Sequence, residues 1–258
     1  NECTYTSNGV CENGNYVYFN PTTGAKCAVT DYTDSQSATG VNSGCMKWYV
    51  FNDSSNSNKV NLLLDHNTTN SVQYNNSGVT GPINALAQLK SDTSSWTGVE
   101  TPTNYTFTSV DRSSGEGQTQ GSQFTYTIDY SGYKARLITA NEIAQITGDT
   151  NFNESDLYGV TSYFFNSKSS SPSSTCTSGN TTECKYGWLY DRTSTTCETW
   201  GCLNNADSNS PSSMYIYFTA TAHSYYQPIL GVHGTGQIMP VNGTGAIRPV
   251  IEVSKSKL

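Results

Sequence analysis

The stretch Arg136-Leu-Ile-Thr-Ala-Asn-Glu-Ile-Ala-Gln-Ile-Thr-Gly148 holds a strand end, a helix start and a helix stop in one short run. Residues 134–138 (Lys-Ala-Arg-Leu-Ile) predict a strand. Thr139 then stands as an N-cap, with Glu142 three residues on. That spacing is a capping box, in which each side chain bonds the other residue's backbone N–H. A helix over Ala140–Ile146 follows, and Gly148 closes it because glycine accepts the left-handed conformation of a C-cap.

Working upstream, Phe124–Tyr130 predicts a strand, with Ser131-Gly132 as the turn into 134–138. Pro82–Lys90 predicts the other helix: Pro82 suits a first turn, and Ile83, Leu86, Ala87 and Leu89 form an apolar stripe. Met46–Phe51 is an aromatic strand, and Lys59–Asp65 is its hairpin partner across an Asn/Ser loop. His66–Thr69 reads as a turn before a strand at Ser71–Tyr74. Residues 1–45 are turn-rich, with one short strand at Tyr16–Phe19 ended by Asn20-Pro21.

Downstream, Met214–Thr221, Gln227–Val232, Gly236–Val241 and Ala246–Val253 predict closely spaced strands, the pattern of a meander. Two stretches lack periodicity: the Gly/Ser-rich residues 91–122 and the irregular residues 149–213. The expected class is α+β, mostly β, with two short helices. A Cys-containing segment, 1–45, packs on a main domain, 46–258, that carries loop insertions at 91–122 and 149–213.

The 258-residue chain has 13% charged residues, a net charge of −7 and eighteen tyrosines. Clustered Lys and Arg are the footprint of nucleic-acid binding, and the thirteen basic residues here are scattered, so no nucleic-acid partner is expected. No apolar run approaches the length of a membrane helix, and none is expected in this chain. The chain opens at Asn1 and not at Met, as it would after removal of a signal peptide or anchor helix, or after trimming. Tyrosine joins an apolar body to a polar tip and suits half-buried sheets and contact surfaces.

Eight cysteines fall in two groups of four, Cys3, Cys11, Cys27 and Cys45, then Cys176, Cys184, Cys197 and Cys202. An even count in a Ser/Thr/Asn-rich chain reads as disulfides in an oxidising compartment, and structural zinc wants closer Cys pairs than these. Of the many connectivities available, loop proximity selects Cys3–Cys11, Cys27–Cys45, Cys176–Cys184 and Cys197–Cys202. Each short staple is expected to stabilise by roughly 2–3 kcal/mol. Seven Asn-x-Ser/Thr sequons, at Asn52, Asn67, Asn75, Asn104, Asn153, Asn180 and Asn242, read either as glycoprotein acceptors or as chance in an Asn/Ser/Thr-rich chain.

No catalytic constellation stands out. The histidines, His66, His223 and His233, read as surface-loop residues, no G-x-S-x-G elbow occurs, and the acidic residues are too scattered to nominate a pair. The alternation Asp149, Asn151, Asn153, Asp156 lacks the Gly and closing Glu of a calcium loop and reads as a polar loop. No cofactor, no metal and no enzymatic activity are expected.

Arg136-Leu-Ile-Thr-Ala-Asn-Glu142 resembles the "RLPT-x-x-E" stretch of the C-type-lectin-like fold, as in formylglycine-generating enzymes and related bacterial surface domains. Gly245-Ala-Ile-Arg-Pro-Val250 is similar to the "G-x-R-P-V" closing strand of that group, and Tyr217-Phe-Thr-Ala-Thr221 to its "YWTST" strand. Pieces of this kind also resemble surface proteins of gut Firmicutes, some with a prepilin-type anchor. The resemblance spans roughly residues 46–254. It implies a C-type-lectin-like domain with long disulfide-stapled loops, although the lectins' Glu-Pro-Asn and Trp-Asn-Asp calcium motifs and the enzymes' reactive C-terminal cysteines are absent from this sequence.

Two expectations follow. One is an extracellular, cell-surface binding or adhesion domain that takes a glycan or protein ligand through its long loops, with Trp188, Tyr190, Trp200, Tyr225 and Tyr226 as aromatic anchors. The other is the pilin-like globular head of a filament, in which the same aromatic surface meets copies of itself. Arg136 and Arg248, set inside apolar strands, are expected to be structural, held by Glu142, Glu252 or backbone carbonyls.

Overall fold

A computed structural model describes residues 1–6, 9–31, 44–75, 81–110, 123–148, 163–164, 186–190, 216–221, 229–233, 237–241 and 244–258. It is mostly β. Strands β1 (Tyr16–Asn20), β2 (Ala25–Lys26), β3 (Met46–Phe51), β4 (Lys59–Leu64) and β13 (Val250–Ser254) make an antiparallel sheet in the order β13-β4-β3-β1-β2. A second sheet runs β5-β12-β9-β10-β11-β8, from β5 (Thr69–Gln73), β8 (Tyr163–Phe164), β9 (Ile216–Phe218), β10 (Ile229–His233), β11 (Gln237–Val241) and β12 (Thr244–Ile247). A separate ribbon pairs β6 (Tyr105–Val110) with β7 (Gln123–Ile128). The helices among the described residues are α1 (Ile83–Asp92), α2 (Ala140–Thr147) and the four-residue α3 (Gly187–Tyr190).

The predicted β3–β4 hairpin forms, with Trp48 opposite Leu64 and Val50 opposite Leu62. Beta alternation then sorts the first sheet into two faces. One face (Val17, Phe19, Met46, Trp48, Val50, Val60, Leu62 and Leu64) enters a large core with Leu86 and Leu89 of α1, Trp96, Ile128, Ile216 and Phe218. Trp48 lies edge-on to Trp96, 5.5 Å between centroids, and donates its indole N–H to the Phe19 carbonyl at 3.0 Å. The other face sends Phe51, Leu63 and Val250 into a second core with Ile143, Ala144 and Ile146 of α2, Leu189 of α3, Tyr217 and Val232.

The sheet therefore lies between two cores, and β9 serves both, with Ile216 and Phe218 in one and Tyr217 in the other. The capping box at α2 is complete, and Gly148 closes the helix at φ 71°.

Several expectations change. Residues 91–122 are not simply a loop: they contain the buried Trp96 and β6, whose Tyr105, Phe107 and Val110 pair across to β7. In α1, Ile83 and Ala87 face outward, while Ala85, Leu86, Leu89 and Asp92 are buried. Residues 134–138 form no strand; Arg136 makes a single bridge with Val250, each N–H donating at 2.8 Å to the other's carbonyl. The predicted final strand is broken at Arg248-Pro249, so that β12 stays in the second sheet and β13 joins the first. The antiparallel β9–β10–β11 meander is present.

Cys3–Cys11 and Cys27–Cys45 are bonded as expected, with Cα separations of 6.0 and 5.9 Å. Cys176, Cys184, Cys197 and Cys202 lie outside the described residues, as do Trp200, Tyr225, Tyr226, His223 and residues 149–156. Among the described residues, no helix is long and apolar enough to cross a membrane.

Candidate functional site

Among the described residues, the helices cover one half of the second face of the first sheet. Toward β4 and β13 it is sealed by α2 and α3, but at β1 and β3 the side chains Tyr16, Tyr18, Lys47 and Tyr49 stay partly open. Register places them together: Tyr16 is directly opposite Tyr49, and Tyr18 opposite Lys47. Cross-strand neighbours on one face of an antiparallel pair are close enough for aromatic and cation contacts. The Lys47 ammonium accordingly sits 4.2 Å from the Tyr16 ring centroid and 5.4 Å from that of Tyr49.

The row continues into α3. The Trp188 ring lies 5.6 Å from Tyr49, and at the other end Tyr16 and Tyr18 are 5.8 Å apart, edge to face. Trp188 packs against the bare backbone of Gly14. A Cβ at Gly14, whose φ is 85°, would lie 2.5 Å from the indole nitrogen. Only glycine meets both demands there.

Beneath the strip, Arg248 holds α3 in place. It is fully buried, and donates from Nε to the Leu64 carbonyl at 2.7 Å, from Nη1 to Leu189 at 3.0 Å and from Nη2 to Trp188 at 2.8 Å. Tyr217 adds its hydroxyl to the Leu189 carbonyl at 2.7 Å, and its ring lies under the guanidinium. Burial pushes the Tyr217 hydroxyl up to about 12, against the pull of Arg248. Cations near a helix C-terminus meet its unfilled carbonyls, so Arg248 fixes both the last turn of α3 and the bearing of Trp188.

Arg136 uses the other solution. Its guanidinium meets Glu142 through Nη1 at 2.7 Å and Nη2 at 2.8 Å, Glu252 through Nε at 2.9 Å, and Asn61 at 3.0 Å. Burial works against its charge, but the two carboxylates outweigh that and raise its affinity for the proton.

Two further buried polar groups lie at the link from β4 to β5. His66 is no surface-loop residue: it is 2% exposed, and its Nδ1 is 2.7 Å from the Asp65 carboxylate. Its Nε2 is buried with no hydrogen-bond partner among the described residues. Asp92, also buried, accepts from the Thr68 hydroxyl at 2.7 Å, Thr69 at 2.6 Å and the Gln88 amide at 2.7 Å, tying α1 to β5. Among the described residues no cluster of three or more potential metal-ligating side chains occurs.

The sequons that the structure describes are occupied by the fold. Asn67 is buried; Asn52 donates to the Glu142 carbonyl and Gln145, and Asn75 to the Gly81 carbonyl; Asn104 accepts from Tyr130 N–H at 2.9 Å.

Of the five predicted anchors, the structure places Trp188 in the strip and Tyr190 on α3, while the remaining three fall outside the described residues. Tyr16, Tyr18, Lys47 and Tyr49 were missed by sequence reasoning. The signal was there: Tyr-Val-Tyr-Phe in β1 and Lys-Trp-Tyr-Val in β3 alternate with period two, which puts Tyr16 with Tyr18 and Lys47 with Tyr49 on single faces.

The described residues define a disulfide-stapled β domain of two larger sheets and a two-stranded ribbon, with a partly open aromatic strip on one sheet face. No protein family, curated protein or solved structure matches the chain.

Proposed function

We propose that the chain is an extracellular, surface-exposed binding or adhesion domain of C-type-lectin-like type that recognises a glycan or protein ligand. The observation supporting this is the strip Tyr18–Tyr16–Lys47–Tyr49–Trp188, partly open on a face whose other half is sealed by two helices. Tyrosine and tryptophan give large rigid contact area with polar tips, the composition of strong binding surfaces. Two disulfides among the described residues suit an oxidising, extracellular setting.

The same strip supports a second reading, the globular head of a filament, with the aromatic row as a subunit contact. A screen of the full chain against glycan arrays and extracellular-matrix proteins, run beside light scattering, separates the two. Saturable binding by a monomer supports adhesion. Concentration-dependent polymers with no bound ligand overturn it in favour of the filament.

A further inference from the structure

We propose that the Cys3–Cys11 disulfide holds the seat of Trp188, so that breaking this bond loosens the indole from the strip. Its bearing on ligand binding rests on the function proposed above; the coupling itself does not.

The contacts converge on Asp53, in the β3–β4 turn, whose side chain is out of solvent. Its Oδ2 accepts from the Tyr5 hydroxyl at 2.7 Å and the Cys11 N–H at 2.9 Å, while Oδ1 pairs with Lys255 at 2.6 Å. Tyr5 and Cys11 both belong to the loop that the disulfide closes, so the bond holds two donors at one carboxylate oxygen. The loop's other end is tied to β1 by Cys3 N–H to the Tyr16 carbonyl at 2.8 Å.

Immediately after Cys11 the chain runs along the end of β3. Asn13 Oδ1 accepts from Asn52 N–H at 2.6 Å, Gly14 N–H donates to Val50 at 2.9 Å, and Val50 N–H to Asn15 at 2.7 Å. Gly14 is the surface against which Trp188 lies. The bond at Cys11 and the indole seat at Gly14 thus lie in one short segment, and the Asp53 carboxylate of the β3–β4 turn is bonded to the start of it.

Opening is a two-electron exchange. Two thiol equivalents reduce the S–S bond, each cysteine sulfur takes up a proton, and the reductant leaves as its own disulfide. The loop then regains the freedom the staple removed. The α3 backbone has independent support, because Arg248 holds the Trp188 and Leu189 carbonyls. The ring is expected to move while the helix stays.

The test is tryptophan emission and acrylamide quenching on the full chain, comparing wild type with Cys3→Ser/Cys11→Ser. Each is repeated with Trp188→Phe, so that subtraction isolates the Trp188 signal. The expected result is a red-shifted Trp188 component with a roughly two-fold rise in quenching, as for a locally opened segment. Gly14→Ala, with the bond intact, is expected to give the same shift. An unchanged Trp188 component in the double-serine chain overturns the proposal. So does a change that reaches the buried Trp48 and Trp96 equally, because the bond then holds the whole sheet and not this seat.

Discussion

The two faces of the first sheet are built from the same strands and behave as different materials. One face, Val17, Phe19, Met46, Trp48, Val50, Leu62 and Leu64, is fully enclosed. Among the described residues, the other is enclosed by α2 and α3 toward β4 and β13, while Tyr16, Tyr18, Lys47 and Tyr49 stay partly exposed. Burial depends on what each strand neighbours, so a period-two pattern yields a core on one side and a contact strip on the other. Stability should therefore come from the first face and the covered half of the second, and, on the function proposed above, recognition from the open half.

The sharpest way to break that division is Trp48→Ala. It removes an indole packed on Trp96 and leaves the Phe19 carbonyl without its donor. A loss of about 3–5 kcal/mol is expected in urea unfolding. A loss below about 1 kcal/mol, the range of ordinary surface changes, would contradict the assignment of that face as the core.

Arg136→Met tests the covered half of the second face. It leaves Glu142 and Glu252 without their shared cation, and removing one partner of a buried pair costs about 3–5 kcal/mol. The triple change Arg136→Met/Glu142→Gln/Glu252→Gln is expected to recover most of that loss, since no uncompensated charge remains.

A smaller effect is expected with pH at the turn beside the strip. Burial pushes the Asp53 carboxyl up, but bonds from Lys255, Cys11 and Tyr5 outweigh it and hold the group below its ordinary value. A depressed carboxyl contributes stability that is present above its unfolded pKa, about 4, and is lost as pH falls through the lower folded value. Asp53→Asn should flatten that acid limb of the unfolding curve; an unaltered limb would show that the carboxylate adds nothing there.

Much of this organisation was legible in the sequence where the determinants are local. The capping box Thr139–Glu142, the Gly148 stop and the β3–β4 hairpin each depend on residues close in the chain, and each is found as read. The β6 strand was obscured by its polar surroundings, although Tyr105-Thr-Phe-Thr alternates with period two. The break at Arg248 was not legible, because it depends on α3 and Leu64, distant in sequence, supplying carbonyls. His66 was read as a turn residue since its burial after β4 has no local signature. The strip needed the β1–β3 pairing, a contact that skips the whole segment between them.

The most direct test of the central claim is to measure ligand binding and urea stability together for Tyr16→Ser/Tyr49→Ser, using the best ligand from the screen of the full chain. A loss of at least about ten-fold in affinity is expected, equivalent to about 1.4 kcal/mol, with stability changed by less than the Trp48→Ala loss. Unchanged affinity in a folded double variant would contradict it, and would return recognition to residues outside the strip.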